Sequence, residues 1–267
     1  MAGAATTTGT RRLIVLGSGT STGVPVLGCD CPVCQSADPR NNRTRASVLL
    51  EVPGGRVLFD TSPEMRVQLL RERIGRIQAI VYTHYHADHL FGLDDARLFP
   101  KYLGHPIPIY CEEEVEDVIR RAFHYAFQGP SPDGPWVGLP QFAFHRIEPG
   151  VPFQLLGETI LPIRLDHGHF RVLGFRIGNL AYCTDVSNIP HESWPKLGGL
   201  DILILDALRR EPHPTHFSLP EALDVVERLR PGRAYLTHLS HGLDHGPTER
   251  GLPEGVALAF DGLALDF

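Results

Sequence analysis

The sequence has no long hydrophobic run and no apolar leader. None of its apolar segments approaches the length of about 20 residues that a membrane-spanning helix needs. Residues 1–10 are small and polar, without the apolar core of a secretory signal. We therefore expect a cytoplasmic protein without membrane contact, and a disordered N-terminal tail over residues 1–10.

The sequence also lacks an excess of positive charge. It has 25 Lys and Arg against 31 Asp and Glu among 267 residues, which gives a formal net charge of −6. Such a chain has no long-range attraction to polyanions. A small-molecule substrate is expected rather than a nucleic acid, and a homodimer is one arrangement left open.

A regular disulfide framework is absent as well, because the cysteines number five. Three of them, Cys29, Cys31 and Cys34, fall within six positions, which is typical of a metal cluster rather than of disulfides. The CxCxxC spacing needs a fourth ligand, and we choose His241. A Cys₃His set leaves a tetrahedral zinc without an open position, so we predict a structural zinc; the alternative is three free thiols in a mobile loop.

The apolar segments predict one α/β or α+β domain over residues 11–267, without repeats or interdomain linkers. Short runs rich in Val, Ile and Leu predict strands at Leu13–Leu16, Val48–Val52, Val57–Phe59, Ala79–Tyr82, Ile107–Tyr110, Ile160–Leu165, Val172–Ile177, Ile202–Leu205, Ala234–Leu236 and Val256–Phe260. Helical patterns lie at Ser62–Glu72, Glu112–Phe127 and Leu219–Leu229, the last with Ser218 and Glu221 as a capping box. Residues 128–140 hold four prolines and three glycines, and we expect a loop there that acts as a lid.

Several predicted strands end in a residue suited to metal binding or to its support. These residues are Asp60, His84, Asp185 (after a further predicted strand at Ala181–Thr184), Asp206 and His238, and each follows its strand directly or after one residue. If the strands run side by side, their side chains converge on one edge of the sheets, where α/β proteins usually place their sites.

The strongest functional signal is the segment from His84 to His89, which places three imidazoles and one carboxylate within six residues. Imidazole and carboxylate are ligands for zinc, manganese or iron. A compact turn directs His84 and His86 to one ion, and Asp88 and His89 to another. The alternative, a solvated polar turn, does not explain this density.

The segment matches the HxHxDH signature of the metallo-β-lactamase superfamily, and the chain resembles that superfamily. The resemblance implies a four-layer αβ/βα sandwich with two mixed sheets and two catalytic divalent ions (zinc or manganese, with iron also possible in such a site). It also implies a ligand set in which Asp185 bridges the ions, with His84, His86 and His167 on one of them and Asp88, His89 and His238 on the other. His169 is an alternative to His167.

Further motifs narrow the resemblance to the cyclic phosphodiesterases of the carbon–phosphorus lyase pathway. They are the glycine-rich residues 17–25 followed by CxCxxC, the segment Thr237–His241, and Leu252–Gly255 near the end. The resemblance implies a phosphodiesterase that opens 5-phosphoribosyl 1,2-cyclic phosphate. The loop 207–215, with Arg209, Arg210 and His213, departs from the family pattern.

Four further residues receive predicted roles. Asp88 and His216 are the predicted catalytic residues, and His216 either binds the phosphate or protonates the departing alkoxide. Asp60 and Asp206 are expected to orient the ligating histidines from behind.

Three other functions compete with this interpretation. A tRNA 3′-end endonuclease of the same superfamily normally inserts a long arm between the positions of His167 and Asp185, where only 17 residues intervene here. A glyoxalase-type thioester hydrolase shares the bridging Asp but does not explain the cysteine cluster. A non-catalytic metal-binding protein would have lost ligands, and none is missing.

Overall fold

The computed structural model describes residues 11–128 and 138–267, which form two seven-stranded sheets with short helices. The predicted tail at residues 1–10 and most of the predicted lid lie outside the described residues. The strands are β1 (Arg12–Gly17), β2 (Ser47–Val52), β3 (Gly55–Phe59), β4 (Ala79–Val81), β5 (Ile107–Cys111), β6 (Phe142–Arg146), β7 (Phe153–Leu155), β8 (Glu158–His167), β9 (Phe170–Ile177), β10 (Leu180–Cys183), β11 (Ile202–Asp206), β12 (Arg233–Thr237), β13 (Val256–Leu258) and β14 (Ala264–Asp266).

Each sheet contains a parallel and an antiparallel half. The first has the order β14-β1-β2-β3-β4-β5-β6, with parallel pairing from β3 to β6. The second has the order β13-β12-β11-β10-β9-β8-β7, with parallel pairing from β10 to β13. Both sheets are therefore mixed, and their parallel strands end at a common edge of the sandwich.

The helices cover the outer faces of the sheets. They are α1 (Met65–Arg71), α2 (Ala87–Leu90), α3 (Phe99–Leu103), α4 (Glu113–Ala122), α5 (Leu219–Leu229) and α6 (His245–Glu249). Ser218 is the N-cap of α5: its side chain accepts from the Glu221 backbone amide, and the Glu221 carboxylate accepts from the Ser218 backbone amide. The predicted capping box is present, because both of its hydrogen bonds form. None of the helices described here is long and apolar enough to span a bilayer.

Three apolar layers hold these elements together. One lies between the sheets, where the ring of Phe59 packs against Phe175 at 5.3 Å and against Tyr182 at 6.4 Å. A second lies under α1 to α4, and a third under α5. Helices outside and two sheets inside make the four-layer αβ/βα sandwich that the resemblance implied, so the predicted fold is confirmed.

The element boundaries correct the sequence analysis in three places. The segment Glu112–Phe127 does not form one helix, because α4 ends at Ala122 and a 3₁₀ turn follows at His124–Phe127. Between them, Phe123 leaves helical geometry, and its ring is buried beside Phe91. The helix predicted from Ser62 begins at Met65, since the Ser62 carbonyl first closes a turn with Met65. Strands β6, β7 and β14 were missed, because they are short and lie at or near sheet edges.

A buried arginine ties the N-terminal loop to the end of β12. The Arg43 side chain is 1% exposed and donates hydrogen bonds to the backbone carbonyls of Ser240 (2.8 Å) and Leu243 (2.7 Å) and to Asn41 Oδ1 (2.9 Å). Burial lowers the pKa of Arg43 to about 10, so it remains a cation at neutral pH. The Arg43 backbone also pairs with Val24 in both directions, so one residue joins the loop that precedes Cys29 to the loop that carries His241.

We predict that Arg43→Met destabilises the fold by about 3 kcal/mol or more, because it removes the hydrogen bonds of a buried cation and leaves the buried Leu243 carbonyl without its donor. Urea unfolding measures the loss. Arg66→Met is the matched control, since Arg66 is exposed on α1. Equal midpoints for the two variants would show that the contacts of Arg43 contribute little.

Candidate metal centre

A strand-to-helix turn carries the histidine-rich segment. His84 follows β4, His86 is the last residue before α2, and Asp88 and His89 lie in the first turn of α2. The turn brings three imidazoles together: the His84 ring lies 4.5 Å from that of His86 and 4.3 Å from that of His89. Because the turn between β4 and α2 is tight and α2 is short, these four side chains lie close together in one site.

The ends of the strands bring the other predicted ligands to this turn. His167 ends β8, Asp185 lies just after β10, and His238 follows β12. Two groups result, within each of which the ligand atoms lie at most 4.8 Å apart: His84, His86, His167 and Asp185 in the first, and Asp88, His89, Asp185 and His238 in the second. The structure thus assembles all seven predicted ligands.

Asp185 belongs to both groups and turns a different oxygen toward each. Its Oδ2 is 3.7 Å from His84 Nε2 and 3.9 Å from His167 Nε2. Its Oδ1 is 3.1 Å from His89 Nε2 and 3.4 Å from His238 Nε2. Two ligands on one tetrahedral zinc are about 3.4 Å apart, given usual bond lengths near 2.1 Å. The spacing therefore matches one ion on each side of the Asp185 carboxylate.

Buried ring nitrogens without partners fit the same interpretation. Nε2 of His84, His89 and His238 is buried and lacks a hydrogen-bond partner. Burial lowers the pKa of His84 well below its usual value, which keeps the ring neutral. Burial by itself would raise the pKa of Asp185, but the nearby charges of His238 and His89 outweigh it and hold that pKa well below the usual range. Although burial opposes it, the charge of Asp185 raises the pKa of His89 well above its usual value and that of His238 to about 9. Divalent cations at these positions would replace the protons on those rings, since neutral imidazole and ionised carboxylate are the forms that bind metal, so the residues present fit a pair of divalent cations.

Asp60 fixes the orientation of one histidine in each group. This fully buried carboxylate accepts from His89 Nδ1 (2.8 Å) and from the Thr83 hydroxyl (2.8 Å). Because that hydroxyl gives its only proton to Asp60, it must accept from His84 Nδ1, 2.9 Å away. Both rings therefore carry their proton on Nδ1 and leave Nε2 free for a metal. Sequence reasoning pointed to Asp60 but missed Thr83.

The Thr215 carbonyl does the same for His167. It accepts from His167 Nδ1 at 2.6 Å. The side chain of Thr215 packs on the turn between β8 and β9, where Gly168 has φ +63° and a Cβ would lie 2.7 Å from Thr215 Cγ2. A glycine is needed there for both reasons. His169, the alternative ligand, instead is exposed and packs on Phe170 at 4.0 Å, outside both groups.

Asp206 supports His216 and faces His238. Its Oδ2 accepts from His216 Nδ1 at 2.7 Å and from the Val186 amide at 2.8 Å. Its Oδ1 lies 3.9 Å from His238 Nδ1, and neither of these two atoms has another partner. The His216 ring stacks on His238 at 4.6 Å and meets His167 at 4.5 Å. His216 therefore contacts one ring from each group without belonging to either.

Three residues of the centre have left-handed backbone geometry. Asp60, Asp185 and His238 have φ of 62°, 55° and 59°, and each directly follows a strand or lies one residue further on. Such geometry is uncommon for residues other than glycine and costs about 1–3 kcal/mol each. No sequence signal marks it, and it turns each side chain away from the direction that strand alternation would give.

The cysteine cluster forms a second, separate centre. His241 Nδ1 lies 3.2 Å from Cys29 Sγ, 3.6 Å from Cys31 Sγ and 3.5 Å from Cys34 Sγ. On a tetrahedral zinc, sulfur and nitrogen ligands are about 3.5 Å apart. The backbone amide of Cys34 donates to Cys31 Sγ and, as the largest cause, lowers the pKa of Cys31 to about 6, which favours the thiolate. Cys111 and Cys183 do not belong to this set and are buried in the apolar layers, as expected of packing residues.

Comparison with known proteins identifies the family. Residues 55–239 match the family described as "Beta-lactamase superfamily domain". A crystal structure described as a new diphosphatase from the PhnP family is 45% identical, with a TM-score of 0.90 over 97% of this chain and 98% of that chain. The chain belongs to the PhnP family of the β-lactamase superfamily. The predicted resemblance is confirmed, and this fold family implies a metal-dependent hydrolase that binds divalent cations.

Two further relatives define how far the likeness extends. A Porphyromonas gingivalis protein named octanoyltransferase is 38% identical over 258 residues, which are 94% of this chain but 51% of that protein. The chain thus spans about half the length of that curated relative. Zinc-bound PqqB from Methylobacterium extorquens shares the fold with a TM-score of 0.81 at 19% identity, over 96% of this chain and all of PqqB.

We predict that Cys31→Ser removes about one zinc per chain, lowers the thermal midpoint and increases hydrogen exchange over Gly17–Cys34, because a Cys₃His site has no spare ligand. The metals at the histidines should remain. Asp30→Ser is the control, since Asp30 is exposed in the same loop. If Cys31→Ser keeps the wild-type zinc content and stability, that result would argue against a structural zinc.

Proposed function

We propose that the chain is a dinuclear metal-dependent phosphodiesterase that hydrolyses a small, cyclic phosphodiester. The observation that carries this proposal is the Asp185 carboxylate, whose two oxygens face two separate histidine groups. Paired metal sites that share a ligand are typical of phosphatases and nucleases, where two ions hold the attacking and leaving oxygens of an in-line displacement.

The proposed ligand assignment follows the two groups. His84, His86 and His167 hold one divalent ion, Asp88, His89 and His238 hold the other, and Asp185 bridges them. Zinc and manganese both suit this donor set, and iron does as well. Cys29, Cys31, Cys34 and His241 hold a structural zinc. When bound, the catalytic pair supplies Lewis acidity toward the phosphoryl oxygens and activation of the attacking water.

The chain itself supplies orientation, charge and a proton donor. Asp60, Thr83 and Thr215 fix the ligating rings so that the substrate meets a rigid site. Asp88, proposed as a catalytic residue, adds a second buried carboxylate beside His89 and His238, at 3.4 and 3.7 Å from their Nε2 atoms. A carboxylate in this position can orient the attacking water as well as hold a metal.

His216 is the proposed proton donor. Because Asp206 accepts from Nδ1, Nε2 is the ring nitrogen that can carry a transferable proton. The ring is 8% exposed and lies between His167 and His238, so its Nε2 proton is held next to both histidine groups. Such a group can protonate a departing alkoxide, which is a poor leaving group without a proton.

The connection between His167 and Asp185 bears on the alternative of a tRNA endonuclease. Strands β9 and β10 fill this connection with regular antiparallel pairing, and they leave no room for an inserted arm. A site without such an arm suits a small substrate better than a folded RNA.

A substituted diphosphate is the second candidate substrate. The 45% identical PhnP-family structure is described as a diphosphatase. A disubstituted diphosphate also presents a phosphorus atom with two bridging oxygens, so the same in-line displacement serves both substrate classes. The name of the Porphyromonas relative makes an acyl thioester a third compound worth assaying.

We predict that the metal-loaded protein contains about three metals per chain and hydrolyses bis(p-nitrophenyl) phosphate, and that Asp185→Ala loses at least about 10³-fold in kcat/KM because both ions lose a shared ligand. Elemental analysis and initial rates measure this. Asp201→Ala, at an exposed carboxylate before β11, is the control. Hydrolysis of an acyl thioester with none of any phosphorus substrate would overturn the proposed function.

We predict that His216→Ala loses about 10²–10⁴-fold in kcat on a cyclic ribose phosphate but far less on bis(p-nitrophenyl) phosphate. Nitrophenolate leaves without a proton, whereas the ribose alkoxide does not. Metal content is measured for both proteins and should be unchanged. Equal losses on both substrates would contradict the role of a general acid and leave His216 with phosphate binding or packing.

A further inference from the structure

His213 lies at the rim of the metal centre and has no role in the reaction described above. Its ring is half-buried and lies 5.3 Å from the ring of His216. It belongs to the loop between β11 and α5, the segment that departs from the family pattern in sequence. A polar side chain this close to the proposed proton donor borders the space that a substrate occupies.

Local hydrogen bonds determine which nitrogen of His213 carries the proton. The backbone amide of Thr215 donates to His213 Nδ1 at 3.4 Å, and the Thr215 hydroxyl lies 3.2 Å from the same atom. A backbone N–H can only donate, so Nδ1 is an acceptor and the proton of the neutral ring is on Nε2. Among residues 11–128 and 138–267, no hydrogen-bond partner meets that Nε2–H. His213 is therefore a neutral donor without an acceptor.

Arg209 adds positive charge beside His213. Its guanidinium donates to the backbone carbonyls of Glu211 (3.3 Å) and Pro212 (2.9 Å), which come just before His213. Both contacts are to neutral carbonyls, so the charge of Arg209 is not cancelled by an ion pair within the described residues. The loop thus carries an N–H donor beside His216 and a cation that contacts the backbone directly before that donor.

The loop is attached to the centre itself. Thr215, which holds His213, also accepts from the ligand candidate His167, and Asp206 at the start of the loop accepts from His216. These contacts set the position of His213 relative to His167 and His216. A donor held in this way suits recognition at a defined distance from the reaction.

We propose that His213 and Arg209 bind a second phosphoryl group of the substrate, next to the one that reacts. The proposal rests on the proposed phosphorus hydrolase function and narrows its substrate class. The second group is either the other half of a disubstituted diphosphate or a phosphomonoester on the sugar of a cyclic diester. His213 accepts at Nδ1 from a backbone amide, whereas His216 donates from Nδ1 to the Asp206 carboxylate, so the two rings expose Nε2 differently and have different tasks.

The test compares substrates with and without the second phosphoryl group. One matched pair is 5-phosphoribosyl 1,2-cyclic phosphate and ribose 1,2-cyclic phosphate, which have the same leaving group. The other compounds are ADP-ribose, as a disubstituted diphosphate, and bis(p-nitrophenyl) phosphate, which has one phosphorus only. His213→Phe keeps an aromatic ring beside His216 but removes the donor, and His213→Gln restores one. His105→Phe is the control, since His105 is exposed before β5.

We expect His213→Phe to lower kcat/KM by about 10- to 100-fold, mainly through KM, on compounds with a second phosphoryl group, as for the loss of a hydrogen bond to a charged group. Rates on ribose 1,2-cyclic phosphate and on bis(p-nitrophenyl) phosphate should change by less than about 2-fold. His213→Gln should recover most of the loss. The compound with the larger loss, ADP-ribose or the phosphoribosyl diester, identifies the source of the second group.

Two outcomes would overturn the proposal: equal losses on all four compounds, or no loss on any of them. Metal content and the thermal midpoint are measured for every variant, so a misfolded or metal-depleted protein is recognised. If the wild-type protein hydrolyses none of the four compounds, the proposed function fails instead. The two failures are thus distinguishable.

Discussion

One buried carboxylate constrains the whole molecule. Asp185 is 2% exposed, and its two oxygens each face a pair of imidazoles that come from both sheets. Those distances hold only if the ends of β4, β8, β10 and β12 meet within a few ångströms. The apolar layer between the sheets therefore does more than exclude water, because it sets the spacing of the two halves of the metal centre.

The supporting contacts follow from that convergence. Asp60, Asp185 and His238 follow strands that end at this edge, and their left-handed backbone geometry redirects their side chains toward the centre. Strain of this kind persists only when surrounding contacts overdetermine it. Asp60 illustrates the compensation, since it accepts three hydrogen bonds, two from Thr83 and one from His89. Arg43 has the corresponding role for the loop that carries His241.

The positions of the ligand candidates could be predicted from the sequence much better than the contacts that orient them. Spacing placed His84 to His89 on one turn, and the regular succession of strand and polar residue placed Asp185 and His238 at the same edge. The choice of His167 over His169 was decided by its place at the end of a strand. The hydrogen bond from His167 to the Thr215 carbonyl could not be predicted from the sequence. A backbone carbonyl is present at every position, and its hydrogen-bond partner depends on tertiary contacts. The short strands β6, β7 and β14 were missed for a similar reason, since pairing with a neighbour defines them more than their own pattern does.

The hydrogen-bond partner at Nδ1 of each histidine determines which chemical role its Nε2 can have. His89 and His216 donate from Nδ1 to a carboxylate, and His167 donates to a carbonyl. For His89 and His167 this leaves Nε2 to bind a metal, whereas His216 lies outside both ligand groups, where we propose that its Nε2 donates a proton. His213 accepts at Nδ1 from an amide and so has the opposite tautomer. Identical side chains within one small volume are thus suited to different tasks. The task depends on whether the atom behind the ring accepts or donates, and on what lies in front of the ring.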